Sequence, residues 1–211
     1  HNVENVDPKI DGAAIVPTFL TLASANTVVN LASHPTKGRS PRPGEVENVT
    51  YATGLLGEKV TAADYVRATQ TAHRLGRQMA SFHETYDVLL TPALATLPPK
   101  LGWIDMMMDD VHEYWRRVFH FSPFTVWFNL TGQPAIVLPL AQCNATPDGT
   151  ATFPISVQLV ARYGDPAART AKATVLAAIE RGVAPSARRL PTSRRGRARM
   201  SCRRPAARAC R

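Results

Sequence analysis

Cysteine is scarce in this 211-residue chain: Cys143, Cys202 and Cys210 are the only three, and two of them fall in the last ten residues. That excludes a disulfide framework for the body and sets the expectation of a reducing, cytoplasmic setting. Missing too are a charged-then-apolar leader and any apolar run near the ~20 residues that cross a bilayer, so no membrane partner is expected. The sequence contains no Gly-X-Ser-X-Gly elbow, no Walker phosphate loop and no Gly-X-Gly-X-X-Gly fingerprint. Those absences remove the elbow hydrolases, the P-loop enzymes and the dinucleotide-dependent enzymes. Asp109, Asp110, His112 and Glu113 cluster, but without the spacing of a His-Glu-X-X-His ligand set. They read as the acidic start of a helix, and no metal and no cofactor is expected.

Arginine is what the chain has in excess, and the excess sits at one end. The formal charge is +9, yet residues 182–211 hold ten arginines and no acid, while the rest nearly balances. Ten cations in thirty residues would attract phosphate non-specifically. With no aromatic ring among them to stack a base, no specific nucleic-acid partner is expected. From Ser186 onward Arg, Ala, Pro and Ser follow one another without periodicity. Such a stretch buries too little apolar area to offset about 1–2 kcal/mol of ordering entropy per residue. Residues 192–211 are therefore expected to be a disordered Arg-rich tail.

Within the body, 45% apolar residues suffice for a packed core. A helix is expected over 11–33 with Asp11 as its cap, and a shorter one over 45–56. Residues 61–85 carry the strongest helical pattern. Thr61 and Asp64 form a capping-box start, and Tyr65, Ala68, Ala72, Leu75, Met79 and Phe82 recur at three and four. Residues 88–90, 135–138 and 155–161 are short apolar runs that read as buried strands. The aromatic stretch 111–128 is interrupted by Pro123, which predicts a helix, a break and a second short helix. Gly132 before Pro134 predicts a turn through positive φ into the strand at 135. A last amphipathic helix is expected over 166–181. Helices interleaved with short apolar strands imply an α/β architecture.

Five segments carry a family likeness. They are His1-Asn2-Val3-Glu4, Thr61-Ala62-Ala63-Asp64-Tyr65, Tyr86-Asp87-Val88-Leu89-Leu90-Thr91-Pro92, the run from Asn129 through Thr131-Gly132-Gln133-Pro134 to Pro139, and Val157-Gln158-Leu159-Val160. In that order and spacing they resemble the C-terminal half of an amidase-signature hydrolase, over residues 1–191. The resemblance implies an α/β fold with helices covering a mixed β-sheet, here an incomplete amidase-signature core, and hydrolysis of carboxylic amide C–N bonds. It also implies a Ser-Ser-Lys mechanism, in which a serine attacks, a neutral lysine acts through a bridging serine, and backbone N–H groups hold the oxyanion. In the family those residues precede the part matched here. No Gly-Gly-Ser-Ser-type stretch exists in this chain and none of its body lysines precedes one. No catalytic residue is assigned, and the chain alone is expected to be inactive. Ser156 stands where the family often has glycine.

Substrate-pocket candidates come from strand ends and apolar rings, the usual lining of a small-molecule site. They are Thr91, Pro92, Phe119, Phe121, Phe124 and Asn129. Beside that reading stands the plainer one, in which the rings are core and Asn129 braces the Gly132 turn. Gln158, in an apolar strand, must find hydrogen bonds if it is buried and is read as part of a structural network. The expected partners are a small-molecule amide in the complete enzyme and a complementary N-terminal half or a homo-oligomer. The alternatives are a non-catalytic remnant serving as a structural or partner-binding piece, and a transamidase-like subunit acting on aminoacyl-tRNA.

Overall fold

The computed structural model describes residues 3–35, 39–144 and 152–164. The helix expected over 166–181 and the tail 192–211 lie outside them. A 3-10 turn, Gly12–Ala14, leads into α1 (Ile15–Ala32), followed by α2 (Asn48–Gly57), α3 (Ala62–Phe82) and β1 (Val88–Pro92). Then come α4 (Val111–Phe121), α5 (Val126–Thr131), β2 (Ala135–Asn144) and β3 (Thr152–Ala161).

The capping box of α3 is present as the sequence implies. The Asp64 N–H donates to Thr61 Oγ1 at 3.1 Å, and the Thr61 N–H returns a bond of 3.1 Å to Asp64 Oδ2. Ala68, Ala72, Leu75 and Met79 form the buried stripe of this helix, with Leu75 and Met79 at 0% exposure. Tyr65, expected on the same stripe, is exposed because it lies in the first turn, before the packed part begins. Asp11 is not a side-chain cap. Its carboxylate takes Arg74 of α3 at 3.1 Å and its N–H donates to Gln78 Oε1, so tertiary contacts with α3 replace the local bond. Helix α2 starts three residues later than expected because Glu45 is held in the preceding loop. Arg39 binds its carboxylate through two contacts of 2.7 Å, and the Arg42 N–H adds a third at 2.8 Å.

One expectation about length fails. Gly12–Ala32 forms 21 helical residues apolar enough, by length and composition alone, to cross a membrane. The sequence reading missed it because Ser, Thr and Asn interrupt the apolar run. In the helix those side chains fold back onto carbonyls one turn earlier, as Thr21 does to Pro17 and Thr27 to Ala23, both at 2.9 Å. In the fold this helix packs against α2, α3 and α5.

Pro123 separates α4 from α5 as expected. Helix α5 ends at Gly132, whose φ of 77° is the left-handed cap that a side chain would resist. Its N–H donates to the Phe128 carbonyl at 2.8 Å.

The three described strands form an antiparallel sheet in the order β1-β3-β2. Both outer strands run longer than expected. They end in or pass through prolines, Pro92 and Pro139, which edge strands tolerate because one side of each needs no ladder donor. A register shift between Pro139 and Ala141 bulges β2. Leu89 and Val160 are neighbours on one face and pack with Met79 of α3 and Phe128 of α5. A second core cluster joins Ile15, Leu75 and Val126. Register puts Val88, Leu90, Ile136, Leu138, Val157 and Leu159 on the opposite face. That face is wholly apolar, and Val88 and Leu90 remain 47% and 50% exposed.

Candidate functional site

Four of the six pocket candidates meet where β1 ends. Thr91 lies opposite Gln158 in the β1–β3 ladder, so both side chains point to the helix-covered face. Gln158 is 3% exposed. Its Nε2 donates to Thr91 Oγ1 at 3.1 Å and to the Phe124 carbonyl at 3.4 Å. The backbone beyond Pro92 is then fixed twice: the Ala93 N–H donates to the Ser156 carbonyl and the Ala95 N–H to the Phe121 carbonyl, both at 3.1 Å. Thr91 and Phe124 thus hold one amide node, the Phe121 carbonyl fixes the backbone beside it, and both phenylalanines are half-buried, whereas Pro92, opposite Val157, belongs to the other face of the sheet. The structural network expected of Gln158 is present, and it runs through two of the pocket candidates.

Phe119 and Asn129 are elsewhere. Phe119 precedes Phe121 by two residues, hence on the other side of α4. Its ring meets Phe19 edge-on at 5.7 Å and stacks on Trp115 at 5.7 Å. Asn129 is exposed on α5, and its side chain makes no hydrogen bond among the described residues. The Gly132 turn is instead braced by Thr131, whose hydroxyl bonds to the Trp127 carbonyl at 2.9 Å and touches the Gln133 amide.

The acidic cluster resolves into helix chemistry. Asp110 caps α4, accepting from the His112 and Glu113 N–H groups at 2.9 and 3.0 Å. Asp109 accepts from Asn48. Glu113 lies between Arg116 and Arg117, whose guanidinium bonds bring its carboxyl down to about 2. Among the described residues no three His, Cys, Asp or Glu side chains converge as metal ligands.

His83 falls near the end of the helical stretch 61–85. It is the C-cap of α3 and 4% exposed. Its Nδ1 lies 3.0 Å from the Tyr86 carbonyl, which only an N–H can satisfy, so Nδ1 carries the proton. Nε2 is buried without a partner among the described residues. Arg162 donates to the His83 carbonyl at 2.7 Å and so ties β3 to the end of α3. The only local hint was the short His-Glu-Thr-Tyr turn after the helical pattern.

Open clefts among the described residues lie away from the node. One, of about 370 Å³, is lined by Pro17, Thr18, Leu56, Asp64 and Arg67 among others. The second, of about 410 Å³, is lined by His34, Glu45, Glu47 and Met107 among others. None of the six pocket candidates borders either, so the clefts and the amide node are separate features. The node consists of an amide, a hydroxyl and a backbone carbonyl, with nothing ionisable among them.

The described residues thus form an α/β fold with an antiparallel sheet and an uncharged hydrogen-bond node on its helix-covered face. The chain belongs to the amidase family, whose model, described as Amidase, matches residues 9–168. It is 38% identical over 101 residues to a putative amidase AmiC of Mycobacterium leprae, covering 48% of this chain and 20% of that protein. To a putative amidase AmiC of Mycobacterium bovis it is 32% identical over 168 residues, covering 78% of this chain and 33% of the relative. The solved structure of 6-aminohexanoate cyclic dimer hydrolase has the same fold, with a TM-score of 0.66 at 22% identity. That match covers 85% of this chain and 38% of the hydrolase. The chain therefore spans about a third or less of the length of these curated relatives.

Proposed function

We propose that this chain forms the acyl-side wall of an amidase that splits R–CO–NH–R′ with water, and that the Ser-Ser-Lys machinery is not carried on it. The observation that carries the reading is the Thr91–Gln158–Phe124 node in a chain of the amidase family. Around it Phe121 and Phe124 offer an apolar surface to the acyl group of a small amide. No side chain there could activate a nucleophile, and the sequence has no glycine/serine-rich stretch to supply one. The chain alone is inactive in this reading. The residues preceding the match in the longer relatives would bring the attacking serine, its bridging serine and the lysine.

The half-exposed apolar face around Val88 and Leu90 favours a partner-binding role for the same chain. A wholly apolar sheet face requires cover. A complementary N-terminal half is the partner that would also complete the chemistry, and self-association is the alternative. The test is ammonia release from phenylacetamide by the purified chain, alone and mixed with the N-terminal part of a related amidase expressed separately. Turnover only in the mixture supports the reading. Turnover by the chain alone overturns it, as does a mixture in which the two parts bind and no amide is cleaved.

A further inference from the structure

We propose that Gln158 is a positioning residue: its carboxamide fixes the backbone of 91–95 against the link between α4 and α5, and so sets the wall that receives an acyl group. The inference rests on the amidase reading above and gives that wall its organising side chain.

Gln158 is 3% exposed in a strand whose neighbours Val157, Leu159 and Val160 are all apolar. An apolar residue would fill this place without the need to satisfy an amide. The carboxamide instead has two N–H groups, and each finds an acceptor on a different element: Thr91 Oγ1 on β1 and the Phe124 carbonyl between α4 and α5. The two acceptors are 33 residues apart in sequence, and no other described side chain donates to either. The bonds Ala93 to Ser156 and Ala95 to Phe121 continue the same seam along the backbone. Gln158 therefore stands at the start of a zipper that closes 91–95 onto α4. Both core clusters lie outside it, since neither contains Gln158, Thr91 or Phe124. The carboxamide can consequently be removed with the hydrophobic core left intact.

The experiment is residue-resolved amide hydrogen exchange on the whole chain, for the wild type and for Gln158→Met, Thr91→Val and Thr91→Ser. Losing one buried hydrogen bond should speed exchange at Ala93 and Ala95 by about tenfold in Gln158→Met and Thr91→Val. Exchange at Leu75 and Met79 in α3 should be unchanged, and Thr91→Ser, which keeps the hydroxyl, should match the wild type. Thr91→Val preserves side-chain shape and carries the test by itself if Gln158→Met does not fold. Unchanged exchange at Ala93 and Ala95, or equal acceleration in α3, overturns the positioning role. Phenylacetamide titrated into the wild type supplies the second readout. Shifts confined to 91–95 and 121–124, weakened about tenfold by Thr91→Val and restored by Thr91→Ser, support the acyl wall. If phenylacetamide perturbs neither segment in the wild type, the amidase-pocket reading falls, while exchange at Ala93 and Ala95 still decides the role of Gln158.

Discussion

Gly57 of α2 lies directly against the Ser24 carbonyl of α1, in the space that a Cβ would fill. A methyl group there would collide with the Ser24 carbonyl oxygen and carbon and with the Val28 side chain. Gly54, one turn earlier, has Leu31 in the same position. The two glycines let the helices cross at close range, with Ser24 and Thr53 buried beside them. Gly57→Ala is expected to cost about 1–3 kcal/mol by overpacking, despite the better helix propensity of alanine. Urea unfolding followed by circular dichroism measures it, and an unchanged midpoint would mean that the helices part freely.

The start of α3 gives a smaller effect with a clear control. Thr61→Ala removes the cap hydroxyl and is expected to lower stability by about 1 kcal/mol. Thr61→Ser should retain nearly all of it. Thermal melts of the three proteins make the comparison.

Three carboxylates set the acid limit. Glu113 beside Arg116 and Arg117, Asp64 beside Thr61 and Arg67, and Glu45 beside Arg39 and the Arg42 N–H all titrate near 2 in the folded chain. Each binds its proton less readily folded than unfolded. Their stabilisation is therefore complete above the ordinary carboxylate range near 4 and is lost as pH falls toward 2. All three are at the surface, so added salt should weaken the effect. Carboxyl carbon shifts followed by NMR between pH 6 and 2 should show these three as the last to protonate. A midpoint near 4 for Glu113 would contradict the bidentate geometry.

Leu90→Lys places a charge on the half-exposed apolar face of the sheet without touching Leu89 on the packed face. Self-association of the isolated chain should fall, as read by sedimentation velocity at several concentrations, with the melting temperature little changed. Persistent association would move the sticky surface elsewhere.

Local signals in the sequence translated directly into structure where the forces are local. The Thr61–Asp64 box, the 3–4 spacing from Ala68 to Met79, the Pro123 break and the Gly132 cap each depend on residues within one or two turns. Asp11 and Glu45 went the other way because a distant or loop-borne arginine competed for their carboxylates. Strand existence was legible from apolar runs, whereas strand order was not, since β1 pairs with β3 roughly seventy residues away and not with β2, which follows it in the chain. The pocket candidates divide on the same line. Thr91 and Phe124 join through Gln158, a contact between strands and helices, while helical phase alone turns Phe119 into the ring cluster with Phe19 and Trp115. The burial of His83 had no sequence signal beyond the turn that follows it.

Of the three described strands, the one synthesised last holds the centre of the sheet. During translation β1 and β2 leave the ribosome with no ladder between them, and their donors and acceptors wait for residues 152–161. Joining these three strands is then a late step in which β3 inserts between two already made. A nascent chain stalled before residue 152 would carry β1 and β2 without the strand that joins them, an attractive substrate for chaperones.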